Sequence, residues 1–230
     1  MIPPYGEDGK YLRIIDYKSA SKNIDLNEVY AGLQIQLLTY SDAICKEEDI
    51  MPAGIFYFSL LEQMIKADKK ISDEEIEGLI RKNFRMKGLI LADVKIIKMN
   101  DNTLTTGSSK LVPAAITASG TVNEKWTNGV DKEEFKILQD YIDFIIKQIA
   151  KEILSGKIDL KPYNKNGKIP CGYCEYKAIC GFNTKQNNNI YNYIDKKSKD
   201  DIISKMKKDM ILGTEEKIMF EEKQKLEKKE

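Results

Sequence analysis

Apolar and polar positions along the chain change period several times, and each change marks an element. Tyr11 to Tyr17 reads as a strand leaving the turn signal Asp8-Gly9, so the chain begins inside a hairpin with only Met1 to Tyr5 left of the partner strand. Asp25-Leu-Asn-Glu28 has capping-box spacing and predicts a helix through about Ile44. Ile55-Phe-Tyr-Phe-Ser-Leu60 predicts a buried strand, and Ser72-Asp-Glu-Glu75 caps a helix running to about Lys82. Gly88-Leu-Ile-Leu-Ala92 fits a short strand or a helix entry; periodicity does not choose over so few residues. Residues 100–130, rich in Thr, Ser, Asn and Gly, predict an irregular, mobile surface segment. A long helix over Lys132 to Ser155 follows, with Leu138, Tyr141, Ile142, Ile145, Ile149 and Ile153 on one face and Gly156 at its C-cap. From Lys196 onward the chain is mostly Lys, Glu, Asp and Met, which predicts a solvated helix or a frayed tail.

Composition narrows the classes. A chain of 230 residues forms one domain with a real core, or a domain with an appendage. Its hydrophobic content of 42% is globular and its charged content of 32% is high. The net charge is only +1, so any nucleic-acid-binding surface has to be local. No apolar run approaches the roughly 20 residues that span a bilayer, which argues against a membrane partner. The N-terminus lacks the basic and apolar regions of a signal peptide. Of four cysteines, Cys171, Cys174 and Cys180 cluster within one short segment, as ligands do rather than as a secreted disulfide framework does. These features together predict a cytoplasmic protein. The absence of histidine removes histidine general bases and His-ligated zinc.

Asp16 and Lys18 lie two apart on the predicted strand and so share a face, about 6 to 7 Å apart along it. The carboxylate suits Mg²⁺, and the ammonium suits a phosphate whose charge grows during cleavage. Gln36 and Tyr40, at i and i+4, lie side by side on the following helix, where they can brace the lysine and contact a nucleotide. Asp-x-Lys also recurs at Asp8, Asp68, Asp93, Asp159 and Asp195. Asp93-Val-Lys95 is the serious competitor because it too follows an apolar run, but no Gln-x-x-x-Tyr pair comes after it. Read as structure alone, Asp16 and Lys18 are a strand-end ion pair, and Gln36 and Tyr40 line a half-buried helix face.

Cys171-x-x-Cys174-x5-Cys180, preceded by Pro170, packs three soft ligands into one loop, which suits zinc or an iron–sulfur cluster. The plain alternative is three structural cysteines. Cys45 is the spare cysteine, but it stands nine residues beyond Gln36, about half a turn around an ideal helix. It reads as a core residue, leaving a fourth ligand outside this chain.

Leu12-Arg-Ile-Ile-Asp-Tyr-Lys-Ser19 followed by Gly32-Leu-Gln-Ile-Gln-Leu-Leu-Thr-Tyr40 resembles the RecB-family branch of the PD-(D/E)xK nucleases. Arg85-Met-Lys-Gly-Leu-Ile-Leu-Ala-Asp93, Pro162-Tyr163 and the cysteine segment are similar to the C-terminal nuclease domain of the B subunit in bacterial AddAB-type helicase/deoxyribonucleases. The resemblance runs from about Lys10 to about Tyr193. It implies an α/β fold with a restriction-endonuclease-like core, a central mixed sheet flanked by helices, and an iron–sulfur-stapled C-terminal segment. The expected domain is 1–195, including the cysteine segment 170–182, followed by a tail at 196–230.

The resemblance also implies roles: Asp16 binds Mg²⁺, Lys18 is catalytic, and Gln36 and Tyr40 fill the family's Gln-x-x-x-Tyr motif. Cys171, Cys174 and Cys180 match three ligands of a [4Fe-4S] cluster. The implied partners are DNA and the A subunit of a heterodimeric helicase–nuclease, acting in double-strand-break processing for recombinational repair. Two departures stand out. The family's other metal-binding acid, on the preceding strand, has no match, since Glu7 and Asp8 fall in the turn; the fourth cluster cysteine is missing as well. The sequence therefore reads as an N-terminally truncated fragment. A stand-alone CRISPR-associated exonuclease and a non-catalytic DNA-binding or docking domain are the alternatives.

Overall fold

A computed structural model of the chain describes residues 5–6, 9–60, 72–185 and 189–227. The chain divides into two compact units, residues 1–25 with 34–142, and residues 26–33 with 143–230.

The first unit is built on a mixed sheet. Strand β1 (Tyr5–Gly6) pairs antiparallel with β2 (Gly9–Lys18), which confirms the hairpin; Asp8, the residue of the turn signal, lies outside the described residues together with Glu7. The helix expected from Asp25 to Ile44 is instead two, α1 (Leu26–Tyr30) and α2 (Gln36–Glu48). Gly32 makes the break at φ +77°, in the left-handed region. Its N–H donates to the Val29 carbonyl at 3.0 Å and that of Leu33 to Glu28 at 2.9 Å, the paired bonds that close a helix C-terminus. Strand β3 (Met51–Ser59) then lies parallel to β2, as a crossover connection requires.

The capping box of α3 (Asp73–Asn83) forms as expected: Ser72 Oγ accepts from the Glu75 N–H, and the Glu75 carboxylate accepts from Ser72 N–H. Gly88-Leu-Ile-Leu-Ala92 resolves as strand β4 (Lys87–Leu91), antiparallel to β3. Gly88 has φ +152°, and a Cβ there would stand 2.1 Å from the Ile55 carbonyl oxygen, so only glycine lets the two strands meet in this register. Asp93 is the N-cap of α4 (Val94–Asn100), accepting from the Lys95 and Ile96 amides at 2.8 and 3.3 Å. Asp93-Val-Lys95 is therefore a helix entry.

The segment 100–130 is not the loose surface stretch its composition predicts. It carries strands β5 (Gly107–Ser108) and β6 (Ala115–Ile116), paired antiparallel, and β7 (Gly129–Val130), which joins the main sheet beside β4. Leu104, Val112, Ala114 and Ile116 pack with Phe56, Ile90 and Ile97 into the core on one sheet face. Its polar residues turn inward to satisfy the backbone. Asp101 is buried and accepts from both Thr103 groups and from the Ser109 hydroxyl at 2.6 Å. Burial alone would raise the Asp101 pKa; the bonds from Ser109 and Thr103 outweigh it and hold the carboxyl below its ordinary value. The main sheet runs β1-β2-β3-β4-β7.

Helix α5 (Lys132–Leu154) ends as predicted, with Gly156 at φ +71° and Lys157 N–H bonded to the Glu152 carbonyl. Leu138, Tyr141 and Ile142 are buried, but Ile149 is partly exposed and Ile153 is 70% exposed, so the apolar stripe runs past what covers it among the described residues.

The second unit contains α1, the C-terminal part of α5, the parallel pair β8 (Tyr163–Asn164) and β9 (Asn192–Tyr193), the short turn Pro170–Gly172, α6 (Lys177–Cys180) and α7 (Lys199–Glu227). The sequence after Lys196 is a helix whose first turns pack: Ile202, Ile203 and Met206 are buried. Tyr30 Oη donates to Asp209 at 2.6 Å, Lys165 pairs with Glu28, and Lys197 N–H donates to Asn27 at 2.9 Å. A Cβ on Gly213 would stand 2.5 Å from the Phe144 ring, so α7 approaches α5 closely there.

Candidate active site

Residues two apart on β2 share a face, and the sheet register extends that face sideways. Asp16 is opposite Tyr57 of β3, Lys18 is opposite Ser59, and Tyr57 is opposite Lys87 of β4. Helix α2 packs on β2 and β3, and its Leu37, Leu38, Ser41 and Cys45 are buried. That packing sets its first turn beside the C-terminal end of β2.

The four residues expected from the sequence come together there. Lys18 Nζ lies 2.7 Å from Asp16 Oδ2 and donates to Gln36 Oε1 at 3.4 Å. Gln36 Nε2 donates to Tyr40 Oη at 3.1 Å. The amide is thus read at both ends, its oxygen by a cation and its nitrogen by a phenol, which fixes its orientation. The Asp16 carboxylate holds the Lys18 pKa above the ordinary lysine value, chiefly through their direct contact; desolvation opposes the rise, and longer-range charge attraction adds a smaller share.

Asp16 Oδ2 is shut off from solvent and makes no well-formed hydrogen bond among the described residues; the Lys18 ammonium is the cation beside it. Ser59 Oγ, one strand over, is likewise buried without a partner. A buried carboxylate oxygen without a good donor costs free energy unless a cation completes it. The oxygen fits a hard divalent metal, which takes a carboxylate or two and keeps several waters. Among the described residues no group of three or more His, Cys, Asp or Glu side chains could hold a metal ion.

Tyr57, Lys22 and Lys87 join the site without having been singled out in the sequence. Lys18 and Lys22 both stand over the Tyr57 ring, at 5.6 and 5.2 Å from its centroid. Lys87 Nζ donates to Ser21 Oγ at 2.6 Å. The register that gathers them pairs distant strands and leaves no local spacing signal.

The cysteine segment sits in the second unit. Cys171, Cys174 and Cys180 are free thiols, the first half-buried and the other two exposed. Their chemistry suits a thiolate-held group, but the described residues do not bring them into a ligating set. Cys45 is a core residue as expected: burial pushes its thiol pKa up, against contacts with Ser41 and Gln139.

Residues 5–181 match the family described as the PD-(D/E)XK nuclease superfamily, a span that holds the whole Asp16–Lys18–Gln36–Tyr40 arrangement. The chain belongs to that superfamily. It is also similar to proteins named as the B subunit of an ATP-dependent helicase/deoxyribonuclease. With the one from Thermoanaerobacter sp. strain X514 it shares 40% identity over 210 residues, 89% of this chain and 18% of the relative. With those from Alkaliphilus metalliredigens and Clostridioides difficile it shares 41% over 209 and 211 residues, each 88% of this chain and 18% of the relative. The chain thus spans less than a fifth of the length of these relatives, as a nuclease domain within them. No helix among the described residues is long and apolar enough to cross a membrane.

Proposed function

We propose that this chain supplies the DNA-cleaving domain of a helicase–nuclease that processes double-strand breaks for recombination, with the A subunit as partner. The observation that carries this reading is the connected set Asp16–Lys18–Gln36–Tyr40, in which the buried Asp16 oxygen faces a lysine held by a glutamine and a tyrosine. Asp16 would hold Mg²⁺, with further ligands from water and from residues outside this chain. When bound, the metal supplies Lewis-acid polarisation of the phosphoryl oxygen and a more acidic water. Lys18 places a full positive charge where the transferred phosphate gains negative charge. Gln36 accepts one of the three Lys18 N–H donors and so limits the ammonium's swing. Tyr40, whose Oη accepts from Gln36, keeps its own O–H to donate to the substrate. In the same reading Cys171, Cys174 and Cys180 are three ligands of a [4Fe-4S] cluster completed by a cysteine from outside this chain.

The test is Mg²⁺-dependent cleavage of linear DNA by the protein as its gene encodes it, with and without the A subunit. Lys18→Ala is expected to reduce cleavage by at least about 100-fold, with the circular dichroism spectrum retained. Full activity in that variant overturns the assignment. A second reading, a domain that binds DNA without cutting it, is favoured by one observation: among the described residues no group of three or more His, Cys, Asp or Glu side chains could hold a metal ion. It predicts salt-dependent DNA binding and no metal-dependent cleavage.

A further inference from the structure

We infer that Lys22 and Lys87 form a phosphate-binding track beside Asp16 and Lys18, along which a DNA strand lies across β2, β3 and β4; this rests on the nuclease reading above. Asp16, Tyr57 and Lys87 occupy one row across three neighbouring strands. Lys87 is therefore about two strand spacings, roughly 10 Å, from Asp16 on the same face. Lys22 reaches back from the loop after β2 to stand over the Tyr57 ring that Lys18 also faces. Lys87 ties into the same loop through Ser21, the residue before Lys22. Two ammonium groups thus stand over one aromatic ring, and Lys87 is the residue opposite that tyrosine on the next strand.

Gathering like charges is unfavourable unless something offsets them. Several other lysines carry an acid of their own: Lys46 pairs with Asp42, Lys147 with Asp143 and Lys157 with Glu152. Lys18 has Asp16. Lys22 and Lys87 have no carboxylate in ion-pair reach among the described residues, and both are exposed. Lys87 directs one donor at Ser21, which leaves two for a ligand. This is the local basic surface that a net charge of only +1 demands of a DNA-binding chain. A pair of lysines contacts the backbone rather than the base edges, which makes the track a binder of phosphates, indifferent to sequence. The Tyr57 ring lies beneath the Lys22 ammonium, and Ser21, bonded to Lys87, fixes the loop that carries Lys22.

The deciding experiment follows binding of a labelled single-stranded oligonucleotide to the 230-residue chain across a salt series, with EDTA present to prevent cleavage. Removing a lysine that neutralises one phosphate lowers the slope of log K against log salt by about 0.7 for a single strand. Lys22→Gln and Lys87→Gln are each expected to lower it by about 0.7, and the double variant by about 1.4, equally for oligonucleotides of different sequence. Lys147→Gln, whose ammonium pairs with Asp143, is expected to leave the slope unchanged. Matching circular dichroism spectra and urea midpoints show that the variants fold. Binding by the unsubstituted chain with unchanged slopes in Lys22→Gln and Lys87→Gln overturns the track and leaves the nuclease reading standing. An absence of DNA binding by the unsubstituted chain overturns both.

Discussion

Asp16 acts on the charge state of Lys18, and the direction of that effect can be measured. Because Asp16 raises the Lys18 pKa, the ammonium is charged throughout the neutral range and stays so above the ordinary lysine value of about 10.4. The contribution of the pair to stability is complete below that value and is lost as pH rises through the raised pKa of the folded protein. Asp16→Asn removes the largest cause. A nitrogen-detected NMR titration of Lys18 is expected to move down toward the ordinary lysine range in that variant; an unmoved titration would show that Asp16 is not the controlling partner. Tyr30 offers a second case, in the other unit. Burial first, and the hydrogen bond to Asp209 second, push its phenol up to about 12. The unfolded chain ionises this phenol near pH 10, so the stability it confers is present below that and is lost as pH rises towards 12. In an absorbance titration a tyrosine component should ionise well above the ordinary phenol range, and Tyr30→Phe should diminish it by one residue. The same variant should cost about 1 kcal/mol in urea denaturation, the usual net worth of one hydrogen bond.

At the level of elements, what the sequence makes legible depends on the range of the signal. Asp16 with Lys18, and Gln36 with Tyr40, are local spacings that fix a shared face on a strand or a helix, so their convergence follows from the chain alone. Ser72 with Glu75, and Gly156, are equally local and form the caps their spacing predicts. Gly32 is legible in principle: the same pair of backbone bonds ends α1 there as ends α5 at Gly156, but a capping signal upstream and apolar spacing downstream hide the break. Residues 100–130 mislead for a different reason. Their serine, threonine and aspartate side chains satisfy buried backbone and one another, as Asp101 and Ser109 do, so polarity there does not mean exposure. Tyr57, Lys22 and Lys87 depend on how β3 and β4 align, which no local pattern records. Gly88 is what enforces that alignment. Gly88→Ala would place a Cβ 2.1 Å from the Ile55 carbonyl oxygen, and is expected to cost about 3 kcal/mol or more in urea unfolding. It should also abolish the Lys87 contribution to the salt slope; a wild-type urea midpoint would refute the strict need for glycine.

For the molecule as a whole, the alternation of strands and helices makes an α/β fold with a mixed sheet readable, largely through the resemblance of the Asp16–Tyr40 stretch to known nucleases. The division into two units is not readable, because it is discontinuous: residues 26–33 leave the first unit and join 143–230. Such a detour has no signature in composition, and α1 gives no sign in its five residues of what it will pack on. The detour has a consequence in time. Tyr30 and Asp209 are separated by 179 positions, which at a synthesis rate of roughly 5 to 20 residues per second is a wait of about 10 to 35 s. Through that interval on the ribosome, α1 is made but its partner α7 does not yet exist. A helix shorter than two turns does not hold its shape alone. The second unit therefore closes only after its last helix has emerged, which makes the first helix of the chain one of the last to settle.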